Sequence, residues 1–250
     1  MTDIQASVSF MIPEGNVLKL PSDQIFKNYA QVKRVLLKAG GKYKKNTFVF
    51  QGSAADVQAR IIGGETVNDK KKFQFFPTPI PVIKILLELA DIQPFDSVLE
   101  PSAGDGAIVN EVSKISDNIT AVEIWESNVD ALIKDNNSQV YFSDFLKISP
   151  EKIGLFDKIV ANPPFSKNQD IDHIRHMFEF LKPGGTMVSV SSSSWFHGSQ
   201  KKQKEFKGWL ESKGAVLKFL KNQEFKESGT NIDTIIITLK KSGLNFQPML

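Results

Sequence analysis

Between Pro79 and Leu239 short apolar runs alternate with stretches of helical spacing, and this alternation restricts the fold more than any other feature of the chain. Strands are expected at 97–100 (SVLE), 119–123 (ITAVE), 139–142, 156–161 (FDKIVA), 186–191, 215–220 and 232–239. Helical periodicity is expected at 79–90, 106–115, 127–134, 170–181 and 200–213, with Lys182-Pro183-Gly184-Gly185 ending the helix at 170–181. Strands that are apolar throughout are buried on both faces, which requires a largely parallel sheet between helical layers. The expected fold class is therefore α/β, a doubly wound, mostly parallel seven-stranded sheet. In such sheets ligands bind beyond the carboxyl ends of the strands, so the residues that follow each strand are where chemistry is to be sought.

The 250 residues suffice for one full-sized core with length left for a smaller module. That module is expected at 1–72, ahead of a catalytic domain at 73–250. Ile25, Tyr29, Val32, Val35, Leu36 and Ala39 have helical spacing, with Ser22 or Asp23 as N-cap and Gly40-Gly41 as the stop. KYKKNTFVFQ then reads as a hairpin turning at Lys45-Asn46, followed by a short helix at 54–62 and a charged linker from Asn68 to Lys72. Net charge is +3, but unevenly spread: Met1 to Lys72 holds 12 Lys/Arg against 6 Asp/Glu, the remainder 19 against 22. A basic front end on a slightly acidic body suits a polyanion-binding module. Lys42, Lys44 and Lys45 among Tyr43, Phe48 and Phe50 fit a nucleic-acid surface, and equally the core face of a hairpin with a solvated edge.

Cysteine is absent, which excludes disulfides, thiolate catalysis and cysteine metal sites. His173 and His176 have a metal-compatible spacing, but with no third ligand they read as two polar helix residues, and no metal is expected. No apolar stretch reaches the roughly 18 residues of a membrane span, and the N-terminus lacks the pattern of a secretory signal. No membrane partner is expected, and the expected location is cytoplasmic.

The strand at 97–100 runs into Glu100-Pro101-Ser102-Ala103-Gly104-Asp105-Gly106 and then a helix. Two glycines let the backbone turn sharply and approach a ligand, and a helix N-terminus offers free N–H groups. The next strand ends in Glu123-Ile124, a carboxylate able to accept from both hydroxyls of a ribose beside a side chain able to pack on a base. Ser143-Asp144-Phe145 follows the third strand, pairing an acceptor with an aromatic ring. The fourth strand ends in Asn162-Pro163-Pro164-Phe165. Each acid alone fits a helix cap; their occurrence at successive strand ends points to one ligand crevice.

This ordered set resembles the class I S-adenosylmethionine-dependent methyltransferases, and within them the amino-methyltransferases marked by (N/D)PP(Y/F). Phe76-Pro77-Thr78-Pro79, VLEPSAGDG, Glu123, SDFL at 143–146, NPPF and Ser194-Trp195-Phe196 follow the order of the γ group of N6-adenine DNA methyltransferases. The front module resembles orphan enzymes of that kind from phages and mobile elements. The resemblance implies a Rossmann-like fold, S-adenosylmethionine as cofactor and nucleic acid as partner, DNA first.

It also implies residue roles. Phe76, Thr78, Glu100, Pro101, Ser102, Ala103, Gly104 and Gly106 would hold the methionine end of the cofactor. Glu123 would take the ribose, Ile124 and Phe145 would sandwich the adenine, Asp144 would bind its amine, and Asn162 would border both ligands. Asn162 and the Pro163 carbonyl would accept from the target amine, Pro164 would stiffen the turn, and Phe165 would stack on the target base. Trp195, Phe196 and Phe225 would line the substrate side. The large recognition domain usual in the group is not expected after Leu239, which leaves recognition to residues 1–72, to a partner, or loose. The competing substrates are guanine N2 in ribosomal RNA and glutamine N5 in protein, and a catalytically silent nucleic-acid-binding module is the reading from another class.

Overall fold

The computed structural model describes residues 1–22, 25–50, 52–65, 78–135, 138–220 and 233–243. The chain divides into two compact units, Met1–Phe75 and Phe76–Leu250. The linker and the boundary expected at 72/73 lie outside the described residues.

The first unit runs α1 (Asp3–Ser9), β1 (Ile12–Glu14), β2 (Val17–Lys19), α2 (Tyr29–Lys38), β3 (Lys42–Lys44), β4 (Thr47–Val49) and α3 (Ala54–Ile62). Its four strands form an antiparallel sheet in the order β1-β2-β4-β3. The Thr2–Gln5 capping box starts α1. Leu18 and Phe48 face a core built with Val8, Val32, Leu36, Val57 and Ile61 from the three helices. Gln58 on α3 donates to the carbonyls of Val8 (2.8 Å) and Met11 (2.7 Å), fixing that helix on the exit of α1.

The hairpin turns where expected: Lys45 (φ 41°) and Asn46 (φ 62°) are both left-handed, the conformation of a tight two-residue turn. Phe48 and Phe50 are buried, so the aromatics of this stretch supply the core face. The helix expected from Ser22 or Asp23 instead starts at Tyr29, because its buried stripe begins only at Val32 and Ile25 is exposed. Asp23 lies outside the described residues. The sequence reading gave no element to α1 or to β1–β2, whose strands are three residues each.

The second unit runs α4 (Ile80–Ala90), β5 (Val98–Glu100), α5 (Ala107–Val112), β6 (Ile119–Glu123), α6 (Glu126–Asp135), β7 (Gln139–Phe142), a 3₁₀ turn at Phe145–Lys147 and α7 (Pro150–Ile153). It continues with β8 (Phe156–Ala161), a 3₁₀ turn at Ser166–Asn168, α8 (Gln169–Glu179), β9 (Leu181–Ser192), α9 (Ser194–His197), α10 (Lys201–Ser212), β10 (Val216–Leu220) and β11 (Thr234–Lys240). The seven strands form one sheet in the order β10-β11-β9-β8-β5-β6-β7, with only β11 antiparallel to its neighbours. This is the doubly wound, mostly parallel sheet the alternation predicts. β5 and β6 are buried along their whole length. The direction of winding reverses at β5, which pairs with β6 on one side and β8 on the other. The crevice of a doubly wound fold opens at such a point.

Lys182-Pro183-Gly184-Gly185 departs from its expected role. α8 stops at Glu179, and these four residues bulge out within β9, between the pairings Phe156–Leu181 and Lys158–Thr186. A Cβ on Gly185 would sit 3.0 Å from the carbonyls of Asp157 and Lys182 and 3.1 Å from that of Phe156. All three are backbone atoms, so Gly185→Ala is expected to cost about 1–3 kcal/mol. The urea midpoint measures this, and an unchanged midpoint would show that the bulge yields freely.

Candidate functional site

The carboxyl ends of β5 and β8 flank the crevice, and the glycine-rich loop leaves β5 directly into it. Gly104 (φ 57°) and Gly106 (φ 83°) both take the left-handed conformation, which explains glycine at each place. The loop is tied to β6: Ala103 donates its N–H to the carbonyl of Val122 (3.0 Å), and Gly104 donates to Glu123 Oε2 (2.6 Å). Glu123 Oε1 accepts from the Trp125 N–H (2.7 Å). Burial raises the Glu123 pKa, opposed by these backbone donors.

Glu100 is 3% exposed, and its Oε2 has no hydrogen-bond partner among the described residues. Burial first, then the nearby charge of Glu123, pushes its pKa well above the carboxylate range. A buried acid with an unused oxygen is costly unless a donor or cation completes it. Pro101 is buried beside it, and Ser102 Oγ lies 3.5 Å from Nδ1 of His173. Beyond β6, Ile124 is 48% exposed, an apolar surface at a strand end. Asp144 caps the 3₁₀ turn by accepting from the Leu146 N–H (3.1 Å), while its Oδ2 faces Lys147 at 3.8 Å.

At the end of β8, Asn162 donates its Nδ2 to Thr78 Oγ1 (3.0 Å). Its Oδ1 is buried and without a partner among the described residues. Pro163 is buried and Pro164 half-buried, and the Phe165 ring packs against the core that includes Val82 and Ile108. Two prolines in succession fix φ there and hold the amide in place.

Several expectations are corrected. Phe145 is 2% exposed, its ring held among His176 (4.8 Å), Phe180 (5.1 Å) and His173 (5.8 Å), so it is a core residue under the crevice and not an open base platform. Trp195 is 1% exposed; its indole N–H donates to Ser191 Oγ (2.8 Å) and its ring meets Phe206, so it supports the end of β9 instead of lining the substrate side. Phe196 is half-buried and lines a shallow groove with Lys207 and Leu217. Phe76 and Phe225 lie outside the described residues, and Lys42, Lys44 and Lys45 belong to the first unit.

One residue went unrecognised in the sequence. Asp170, wholly buried at the start of α8, accepts at Oδ2 from Ser191 Oγ (2.8 Å), Ser192 N–H (2.9 Å) and Ser192 Oγ (3.0 Å). It locks the end of β9 to the helix that follows NPPF. In sequence it looks like an ordinary acid in a first helical turn. His173, expected as a polar helix residue, is buried, and burial lowers its pKa to about 4, so it is neutral at pH 7. No cluster of potential metal ligands occurs among the described residues.

The crevice thus offers a buried acid for a ligand cation, a carboxylate for a diol, an apolar surface and an acceptor for an aromatic amine, and beyond them a fixed amide oxygen. That donor set fits a cationic nucleoside ligand with a second, amine-bearing group beside it.

No family model matches the chain. A "Ribosomal RNA small subunit methyltransferase A" of Dehalococcoides mccartyi strain CBDB1 is 31% identical over 159 residues, 59% of this chain and 54% of the relative. An "rRNA methyltransferase" of Streptomyces thermotolerans is 32% identical over 123 residues, 48% of this chain and 37% of the relative. The chain spans about half the length, or less, of the curated relatives it matches. Among solved structures, a type I restriction-modification methyltransferase subunit from Streptococcus thermophilus superposes with a TM-score of 0.59 at 19% identity, over 74% of this chain and 50% of that one. A dimethyladenosine transferase from Plasmodium falciparum superposes with a TM-score of 0.51 at 16% identity, over 66% and 63%. These structures share the fold of the second unit.

Proposed function

We propose that this chain, whose second unit has the class I methyltransferase fold, transfers a methyl group from S-adenosylmethionine to N6 of adenine in DNA. The observation that carries the reading is the buried Oδ1 of Asn162, without a partner among the described residues, with its amide held by Thr78.

When bound, S-adenosylmethionine supplies an electrophilic methyl group on a sulfonium. Glu100 and the loop Ser102–Gly104 would hold its methionine end, Glu123 its ribose, and Ile124 with Asp144 its adenine. An exocyclic amine on an aromatic base is a poor nucleophile, because its lone pair is delocalised into the ring. Asn162 Oδ1 and the Pro163 carbonyl would accept its two N–H bonds, draw the nitrogen toward tetrahedral geometry and aim its lone pair at the methyl. The new N–C bond would form as the sulfonium S–C bond breaks, its electron pair remaining on sulfur as a neutral thioether, and the extra proton would leave the amine to solvent. The contribution of the protein is positioning and fixed dipoles. A base in a duplex must first be flipped out, and Phe165 would stack on it.

DNA is favoured by the motif order from Thr78 through NPPF. Adenine in RNA is the second reading, favoured by the curated relatives, which carry ribosomal RNA methyltransferase names. Incubation with labelled S-adenosylmethionine and DNA, ribosomal RNA or cell protein, followed by mass spectrometry of the product, tests both. N6-methyladenine in DNA is expected. N6-methylated adenine in RNA alone would move the substrate, and N2-methylguanine or methylglutamine would overturn the adenine reading.

A further inference from the structure

In the first unit the pairing register sorts every strand residue to one face of the sheet. Pro13, Leu18, Phe48 and Tyr43 are opposite one another on the face that carries the helices. The other face bears two rows: Lys44, Thr47, Lys19 and Ile12, and Lys42, Val49, Val17 and Glu14. Lys42, Lys44 and Lys45 are all exposed, on and beside the edge strand β3.

Among the described residues the only carboxylate on this face is Glu14, and it is paired with Lys19. No described carboxylate lies within ion-pair distance of Lys42, Lys44 or Lys45. Lys45 is also held left-handed at the first turn position, where asparagine, aspartate or glycine is at ease and lysine is not. The turn therefore carries a charge at the expense of conformation. Lysines at an edge strand can serve simply to block strand pairing, but that role asks nothing of the turn residue.

We infer that Lys42, Lys44 and Lys45, with the helix-free face of this sheet, form a docking surface for the sugar-phosphate backbone of a nucleic acid. The inference rests on the nucleic-acid reading of the substrate. The aromatics decide the mode of binding. Phe48 and Phe50 are buried, and Tyr43 is spent on Phe48 (5.2 Å between rings) and on Lys33, whose ammonium lies 4.1 Å from its ring centre. With no base-stacking platform among these residues, the surface reads phosphates and not bases. Binding through it is sequence-independent and steeply salt-dependent.

The test uses the full chain without cofactor, with labelled DNA and RNA duplexes of one sequence and its scramble, titrated between about 50 and 200 mM salt. The variant Lys42→Ala, Lys44→Ala, Lys45→Asn should lose at least tenfold in affinity for the duplex that binds, equally for both sequences. Its slope of log affinity against log salt should fall by about 2 to 3, one unit per lost phosphate contact. The same variant should melt no lower than the parent, since asparagine suits the turn. Lower affinity with an unimpaired fold is a result that a purely structural hairpin would not give. An unchanged affinity and slope overturns the inference. So does an equal loss in a control reversing the exposed Lys84, Lys114 and Lys152 of the second unit, or failure of the parent chain to bind either duplex. Because no methyl transfer is measured, the outcome stands apart from that of the product assay.

Discussion

Replacing Asn162 by alanine is expected to lower kcat by about 10²–10³-fold, the loss typical of removing one fixed group that stabilises a transition state. Oδ1 is buried and without a partner among the described residues, so the side chain contributes little to the fold there beyond its bond to Thr78. Its acceptor becomes useful only when an amine enters. Cofactor affinity, measured calorimetrically, should change far less than kcat. Thr78→Val gives a graded companion: it deletes the hydroxyl that fixes the amide and leaves the acceptor in place, so a loss near tenfold is expected. Full activity in Asn162→Ala would remove the target-amine role from this residue, and a cofactor affinity lost in parallel with kcat would assign Asn162 to the cofactor instead.

The second large effect concerns Glu100, and its sign differs between the free and the bound protein. Burial and the Glu123 charge raise its folded-state pKa above the unfolded value. The folded state therefore binds the proton more tightly, and the associated stability is full below the unfolded pKa. It is lost as pH rises toward the raised folded value. Glu100→Gln removes that titration. At neutral pH the cofactor-free variant should gain about 1–2 kcal/mol, seen as a melting temperature several degrees higher for a chain of this length. Its stability should also fall less steeply with pH than the parent's above the normal carboxylate range. Cofactor affinity should fall at least tenfold, because the cofactor cation is what would complete the carboxylate. In the parent, cofactor binding should release a proton and tighten as pH rises. Thermal melts across pH with calorimetry decide the matter. A variant no more stable than its parent, with cofactor affinity intact, would leave Glu100 a packing residue.

Burial made the central strands of the large sheet legible in sequence. β6 and β8 start and end at the expected residues, β6 buried along its whole length and β8 over its last three residues, and the edge strand β7 does so as well although it is partly exposed. The glycine-rich loop was legible because a sharp left-handed turn demands glycine at Gly104 and Gly106. β9 was misjudged at its start: Pro183-Gly184-Gly185 has the composition of a helix stop, and only tertiary contact with Asp157 turns it into a bulge within a strand. The aromatics divided the same way. Sequence marks Phe145 and Trp195 as near the site, but which side of the backbone each ring takes depends on α8 and α10, remote in the chain. The Thr78–Asn162 bond joins residues 84 apart. Motif order could place both near the crevice, but not join them.

Glu123 has a consequence for how a ligand arrives. Its two oxygens grip the glycine loop at Gly104 and the start of the next crossover at Trp125, so the floor of the crevice is held before anything binds. A ligand entering meets a mould already cast and need not fold the loop around itself. The ordering entropy is spent during folding and not at the encounter. Association can then be a single step limited by collision and orientation, and under the proposed roles of Glu100 and Glu123 the residence time would be set by how completely they are engaged.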